Sequence, residues 1–109
     1  MANDRMNQVD KLIRKELAVL LQKLFPQYLV TVTQVKAAND LSFSKIWITG
    51  TGDTEELLIL VKRQAKEIRQ ELAKKLVLRR IPYLQFMLDN TELEADKIEN
   101  IFKSIHKED

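Results

Sequence analysis

The stretch VTVTQVKAANDLSFSKIWIT, Val30–Thr49, decides the fold. From Leu29 to Ala38 β-branched residues alternate with polar ones, a pattern that suits a half-buried strand because successive side chains leave a strand on opposite faces. Asn39 to Ser42 then reads as a turn, and Phe43 to Gly50 resumes the period of two. Ser44, Ile46 and Ile48 fall on one face of this second run, with Lys45, Trp47 and Thr49 on the other. Two such runs joined by a short turn predict a hairpin.

Helical patterns flank it. From Asp4 to Leu24, Val9, Ile13, Leu17, Leu20 and Leu24 recur at helical spacing, and Pro26 stops the helix because proline cannot continue the hydrogen-bond ladder. After Gly50-Thr51-Gly52, a strand-to-helix turn, Asp53 or Thr54 is placed to cap a second helix, with Glu55 and Glu56 where the helix dipole favours negative charge. That helix is expected to run to about Leu76 on a stripe of Leu57, Leu58, Val61, Ala65, Ile68 and Leu72. Pro82 opens a third strand, Tyr83–Leu88, and a final helix is expected from about Thr91 to Ile105. The order is α-β-β-α-β-α, without an internal repeat, a low-complexity run or a linker.

A chain of 109 residues with 45% hydrophobic and 31% charged residues and only two glycines and two prolines is expected to form a single domain, residues 1–109. No cysteine is present, which excludes disulfides, thiolate ligation and cysteine catalysis. The N-terminus lacks an apolar signal-peptide core and no window is apolar enough to span a bilayer, so a cytoplasmic protein is expected. A lone histidine, His106, cannot build a histidine triad or a multi-histidine metal site. The carboxylate pairs Glu55/Glu56 and Glu92/Glu94 lie near helix starts, where the dipole accounts for them. Catalysis, a metal and a cofactor are therefore not expected.

Charge is distributed unevenly. The formal total is +2, yet KRQAKEIRQELAKKLVLRR, Lys62–Arg80, holds eight Lys or Arg against Glu67 and Glu71, a local net charge of +6. From Asp89 to Asp109 seven acids face three lysines, a net charge of −4. Self-repulsion among so many cations is relieved by an anionic partner, and a phosphate backbone is the commonest one. A membrane surface fits less well because the apolar stripe is needed for the core. DNA also fits less well, because the helix lacks an array of Asn, Gln and Arg set for base edges. RNA, bound through shape and backbone, remains. A rival reading is a protein–protein adaptor that uses an open sheet face around Trp47 and Met87, with the basic helix merely solvated.

The order helix, two strands, long helix, strand resembles the type II KH fold, an α+β domain whose three-stranded sheet is covered on one face by helices. More closely, Val30–Thr49 and AKEIRQELAKKLVLRRIPYLQFMLDNTELEADKIENIF, Ala65–Phe102, resemble the ribosome-binding factor A family. The most telling pieces are Val32-Thr33-x-Val35 followed by Asp40-Leu41, then Ile68-Arg69 with Leu72, and Leu78-Arg79 with Pro82, Leu84, Phe86 and Asp89. In that family a helix–kink–helix with an alanine near the bend replaces the KH Gly-x-x-Gly loop. This chain also lacks Gly-x-x-Gly, and Ala65 is its candidate kink residue. The resemblance implies a monomeric, non-enzymatic factor that binds the immature 30S subunit through 16S rRNA, aids late subunit assembly and rRNA processing, and serves cold adaptation. It also implies that Lys62, Arg63, Lys66, Arg69, Lys74, Lys75, Arg79 and Arg80 neutralise phosphates, with Lys11, Arg14 and Lys15 as a second, weaker RNA-binding patch.

Overall fold

The computed structural model describes residues 2–78 and 80–89, with side chains from residue 6 onward. Helix α1 covers Ala2–Leu24 and is followed by a 3-10 turn, Pro26–Tyr28. Strands β1, Thr31–Ala37, and β2, Phe43–Thr49, lead into helices α2, Thr54–Arg63, and α3, Ala65–Lys75, and then into β3, Tyr83–Leu88. The final helix expected at Thr91–Ile105 lies outside the described residues, as do Arg79, Glu92, Glu94 and His106.

The sheet order is β1-β2-β3, with β1 antiparallel and β3 parallel to β2. A parallel neighbour requires a crossover, which α2 and α3 supply. The inward face carries Val32, Val35, Ala37, Ser44, Ile46, Ile48 and Phe86, all buried. Against it α1 presents Ile13, Leu17, Leu20 and Leu21, and the helix pair presents Leu57, Val61, Ile68 and Leu72. This is the expected α+β arrangement, a three-stranded sheet with helices over one face.

Two details of the core depart from the sequence pattern. Val32 and Val35 are three residues apart yet both point inward, which strict alternation forbids. The register slips between Val32 and Gln34, so a bulge at Thr33 absorbs the extra residue, and the Thr33 hydroxyl donates to the Trp47 carbonyl at 3.3 Å. At the end of α1 the expected core residue Leu24 is 39% exposed, while Leu21 and Phe25 are buried. The chain leaves the helix there, and its next apolar side chain, Phe25, turns under the sheet instead.

The helix expected to run unbroken to Leu76 is divided. Gln64 sits at φ −101°, ψ 13°, and its amide is shared between the carbonyls of Leu60 (3.2 Å) and Val61 (3.1 Å). Ala65, half-buried, is the first residue of α3. The break lets the pair serve two surfaces, α2 packing on β3 and α3 against α1. This is the helix–kink–helix expected in place of a glycine loop.

The crossover begins at a tight place. The Thr51 amide donates to the Tyr28 carbonyl at 2.6 Å, and a Cβ on Gly50 would lie 2.6 Å from that same oxygen and 3.1 Å from Leu57 Cδ2. Asp53 is the cap, its Oδ1 accepting from the Glu56 amide at 3.0 Å. Gly50→Ala is therefore expected to destabilise the fold by about 1–3 kcal/mol through overpacking against backbone. A urea titration checks it: the midpoint falls with an unchanged slope, and a wild-type midpoint contradicts the packing described.

Candidate nucleic-acid interface

Lys62 and Arg63 occupy the last turn of α2, and Lys66 the first turn of α3. The bend at Gln64 thus brings three cations to one exposed corner, since neither helix can bury them against the sheet. None of the three side chains makes a hydrogen bond or ion pair with the described residues. The C-terminal dipole of α2 favours the charges of Lys62 and Arg63, but it leaves their donors open to a ligand. Lys75 and Lys74 lie at the far end of α3, about 13 Å along the axis from Lys66. Lys74 is paired with Glu71 at 3.0 Å, an exposed contact of little energetic weight.

Arg69 differs from its neighbours. It is half-buried, its Nε donates to the Pro82 carbonyl at 3.1 Å, and its Nη2 donates to the Ile81 carbonyl at 2.7 Å. The guanidinium carbon also lies 4.3 Å from the centre of the Tyr83 ring. The side chain grips the segment that enters β3, through two charge-assisted bonds that a lysine could not reproduce in this geometry. Arg80, by contrast, is exposed and stands beside the β1–β2 turn in an open cleft of about 1080 Å³ that Val9, Leu12, Asp40 and Leu78 help to line. The basic run is contiguous in sequence, yet in space it divides into a bend cluster, an α3 end, a structural arginine and Arg80.

The first helix holds Lys11, Arg14 and Lys15 exposed along the outer edge of β1. They border a shallow cleft of about 430 Å³ with Ala18, Val30, Thr31 and Val32. Arg14 Nε donates to the Val32 carbonyl at 3.0 Å, and Asp10 Oδ1 accepts from the Ala37 amide at 2.9 Å. Helix α1 therefore answers two backbone groups of an edge strand that would otherwise invite pairing with another chain. The turn between β1 and β2 is held in the same way: Asp40 Oδ1 accepts from the Ser42 hydroxyl (2.7 Å) and amide (3.0 Å) across Leu41, which takes φ +58°. Those two bonds, led by the hydroxyl, hold the Asp40 carboxyl below the usual carboxylate range, with a smaller contribution from Arg80.

Two further cations, Lys36 and Lys45, are exposed and directly opposite each other on the helix-free face of the sheet. Sequence reasoning passed over them as site residues. The period-two pattern put Lys45 beside Trp47, but only the strand register shows that Lys36 joins it. Among the described residues no group of three or more His, Cys, Asp or Glu is placed to hold a metal ion, and no helix is long and apolar enough to cross a membrane.

A one-sided mixed sheet, crossed by a bent helix pair where a glycine loop would otherwise stand, defines a KH-like domain of type II topology. The chain belongs to the ribosome-binding factor A family, whose model matches residues 5–102. It is 33% identical to the ribosome-binding factor A of Chlorobium phaeobacteroides over 111 positions, covering 95% of this chain and 96% of that one. It is 31% identical to the Staphylococcus carnosus protein over 115 positions, covering all of both. Among solved structures it is similar to ribosome-binding factor A from Thermus thermophilus, with a TM-score of 0.71, 25% identity, and coverage of 76% of this chain and 93% of that one. It is also similar to a homology model of the Thermus thermophilus factor fitted into a cryo-EM map of a 30S complex, with a TM-score of 0.64, 25% identity, and coverage of 72% and 89%.

The different settings of the cations predict different effects on stability. Arg69→Ala is expected to cost about 2 kcal/mol, the scale of hydrogen bonds to a charged group, and Arg69→Lys to recover only part of it. Lys62→Ala/Lys66→Ala is expected to stay within about 0.5 kcal/mol of the parent. Urea midpoints measure both, and an Arg69→Ala midpoint equal to the parent's would show that its clamp carries no stability.

Proposed function

We propose that this chain is a non-enzymatic factor that binds the immature small ribosomal subunit through 16S rRNA and assists late subunit assembly and rRNA processing. It acts as a single KH-like domain, monomeric and cytoplasmic, and serves growth in the cold. One observation carries the reading: Lys62, Arg63 and Lys66 are gathered at the helix bend, exposed, with no partner among the described residues. The relatives point the same way, since one of them is described in complex with the 30S subunit.

The chemistry of such a surface is that of charge neutralisation. Each Lys or Arg that meets a phosphate releases a condensed counterion, so affinity comes from the backbone and falls as salt rises. The bend matters because it presents the cations from two helix axes, which suits the curved backbone of an RNA helix better than a straight row does. Lys75 at the end of α3 and Arg80 beyond it extend the reach away from the bend, and Lys11, Arg14 and Lys15 offer a second contact at the β1 edge.

A factor without catalytic groups acts by differential affinity. It binds one arrangement of the rRNA better than another and shifts the population toward it, by no more than the difference between the two binding free energies. Release follows when maturation removes phosphates from reach of the cationic corner.

The test is binding to small subunits from cold-grown cells across a salt series, comparing the parent with Lys62→Ala/Lys66→Ala. Affinity is expected to fall and the slope of log affinity against log salt to flatten by about 2, one unit for each phosphate no longer neutralised. Parent-like affinity and slope in the variant would remove the bend from the interface.

A further inference from the structure

The sheet face turned away from the helices carries rows of side chains set by the strand register. Gln34, Trp47 and Met87 lie abreast, as do Lys36, Lys45 and Gln85, and Phe43 stands beside Tyr83. Along β2 alone the face presents Phe43, Lys45 and Trp47, an aromatic, a cation and an aromatic at successive steps of about 7 Å.

This face is poorly explained as a solvated surface. Phe43 is 44% exposed and Tyr83 68%, where the solvent-facing side of a one-sided sheet normally carries polar residues. Lys36 and Lys45 are directly opposite each other, a like-charge pair that weakens the sheet. No acidic residue occurs in β1, β2 or β3 to offset them. Arg69 adds a third cation at the margin, stacked on Tyr83 at 4.3 Å. A partner that is anionic and brings flat apolar rings relieves the charge and covers the aromatics at once.

We propose that this open face binds single-stranded RNA, with bases stacked on Phe43, Trp47 and Tyr83 and the phosphates between them neutralised by Lys36 and Lys45. The inference rests on the RNA-binding reading above, to which it adds a second surface and the form of RNA that the surface takes. Stacked bases rise by about 3.4 Å, whereas the aromatics on β2 are four residues apart, about 13 Å. Only an unstacked strand reaches both, so the face selects single strands over duplex. Gln34 and Gln85 flank the path, each with an amide donor and acceptor for base edges. The helix bend and the sheet face then take different parts of one RNA: the backbone of a helix at the bend, and its unpaired flank on the sheet.

Trp47 is the only tryptophan of the chain, so its emission reports on this face alone. The full-length protein is titrated with an end-labelled oligoadenylate and with the same strand annealed to its complement, following label anisotropy and Trp47 emission together. Single strands are expected to quench Trp47, and duplex to bind without quenching. Phe43→Ala, and separately Lys36→Glu/Lys45→Glu, are expected to weaken single-strand binding about tenfold or more while leaving duplex binding as in the parent. These positions are exposed, and circular dichroism verifies that the variants fold. Single strands that raise the anisotropy without changing Trp47 emission overturn the inference but leave RNA binding at the helix bend intact. Absence of any anisotropy change, with single strand or duplex, overturns both readings. Quenching by a synthetic peptide of residues 90–109 in place of RNA assigns the face to an acidic polypeptide and overturns the inference as well.

Discussion

Much of the molecule is held in relation to one side chain, Arg69. Its guanidinium joins α3 to the carbonyls of Ile81 and Pro82, and so fixes where the chain enters β3. From there β3 runs parallel to β2, with Phe86 beside Ile46 and Leu88 beside Ile48, which closes the core beneath the helices. The same clamp sets the direction of α3 relative to the sheet, and with it the corner at Gln64 where Lys62, Arg63 and Lys66 meet solvent. Tyr83 is held under the guanidinium at the margin of the open face. One arginine thus couples the position of the helical cations to that of the sheet aromatics.

How much of this was legible in the sequence depended on whether the signal was local. The β1–β2 hairpin, β3 and the apolar stripes of the helices could be read because side-chain direction repeats every two or 3.6 residues. The bulge at Thr33 could not, because Thr33 and Gln34 are both polar and fit the alternation either way. The break at Gln64 lacks a glycine or proline to announce it, and periodicity alone carried the helix to Leu76. Resemblance to a family with a kinked helix pair supplied what periodicity missed. Arg69 looked like one more cation in a basic run, since its partners Ile81 and Pro82 are more than ten residues away. Lys36 was invisible as a site residue for the related reason that cross-strand register is set by tertiary pairing.

The charge arrangement gives the proposed function its physical shape. A net charge of only +2 for the whole chain coexists with a +6 stretch, so the long-range attraction of the chain for a polyanion is modest while the local potential along the basic stretch is high. That balance suits the proposed role, which includes release from the target. The −4 segment from Asp89 to Asp109 carries the opposite sign and lowers the net attraction of the whole chain for a polyanion.

The most direct measurement is hydroxyl-radical cleavage of small-subunit RNA from an iron chelate tethered at position 66. The chain has no cysteine, so Lys66→Cys gives a single attachment point at the helix bend, with Ile59→Cys, exposed on α2, for comparison. Strong, localised cuts in 16S rRNA are expected from position 66, and weaker or displaced cuts from position 59. Binding with no cleavage from position 66 would contradict the assignment, since the cationic corner would then lie away from the RNA.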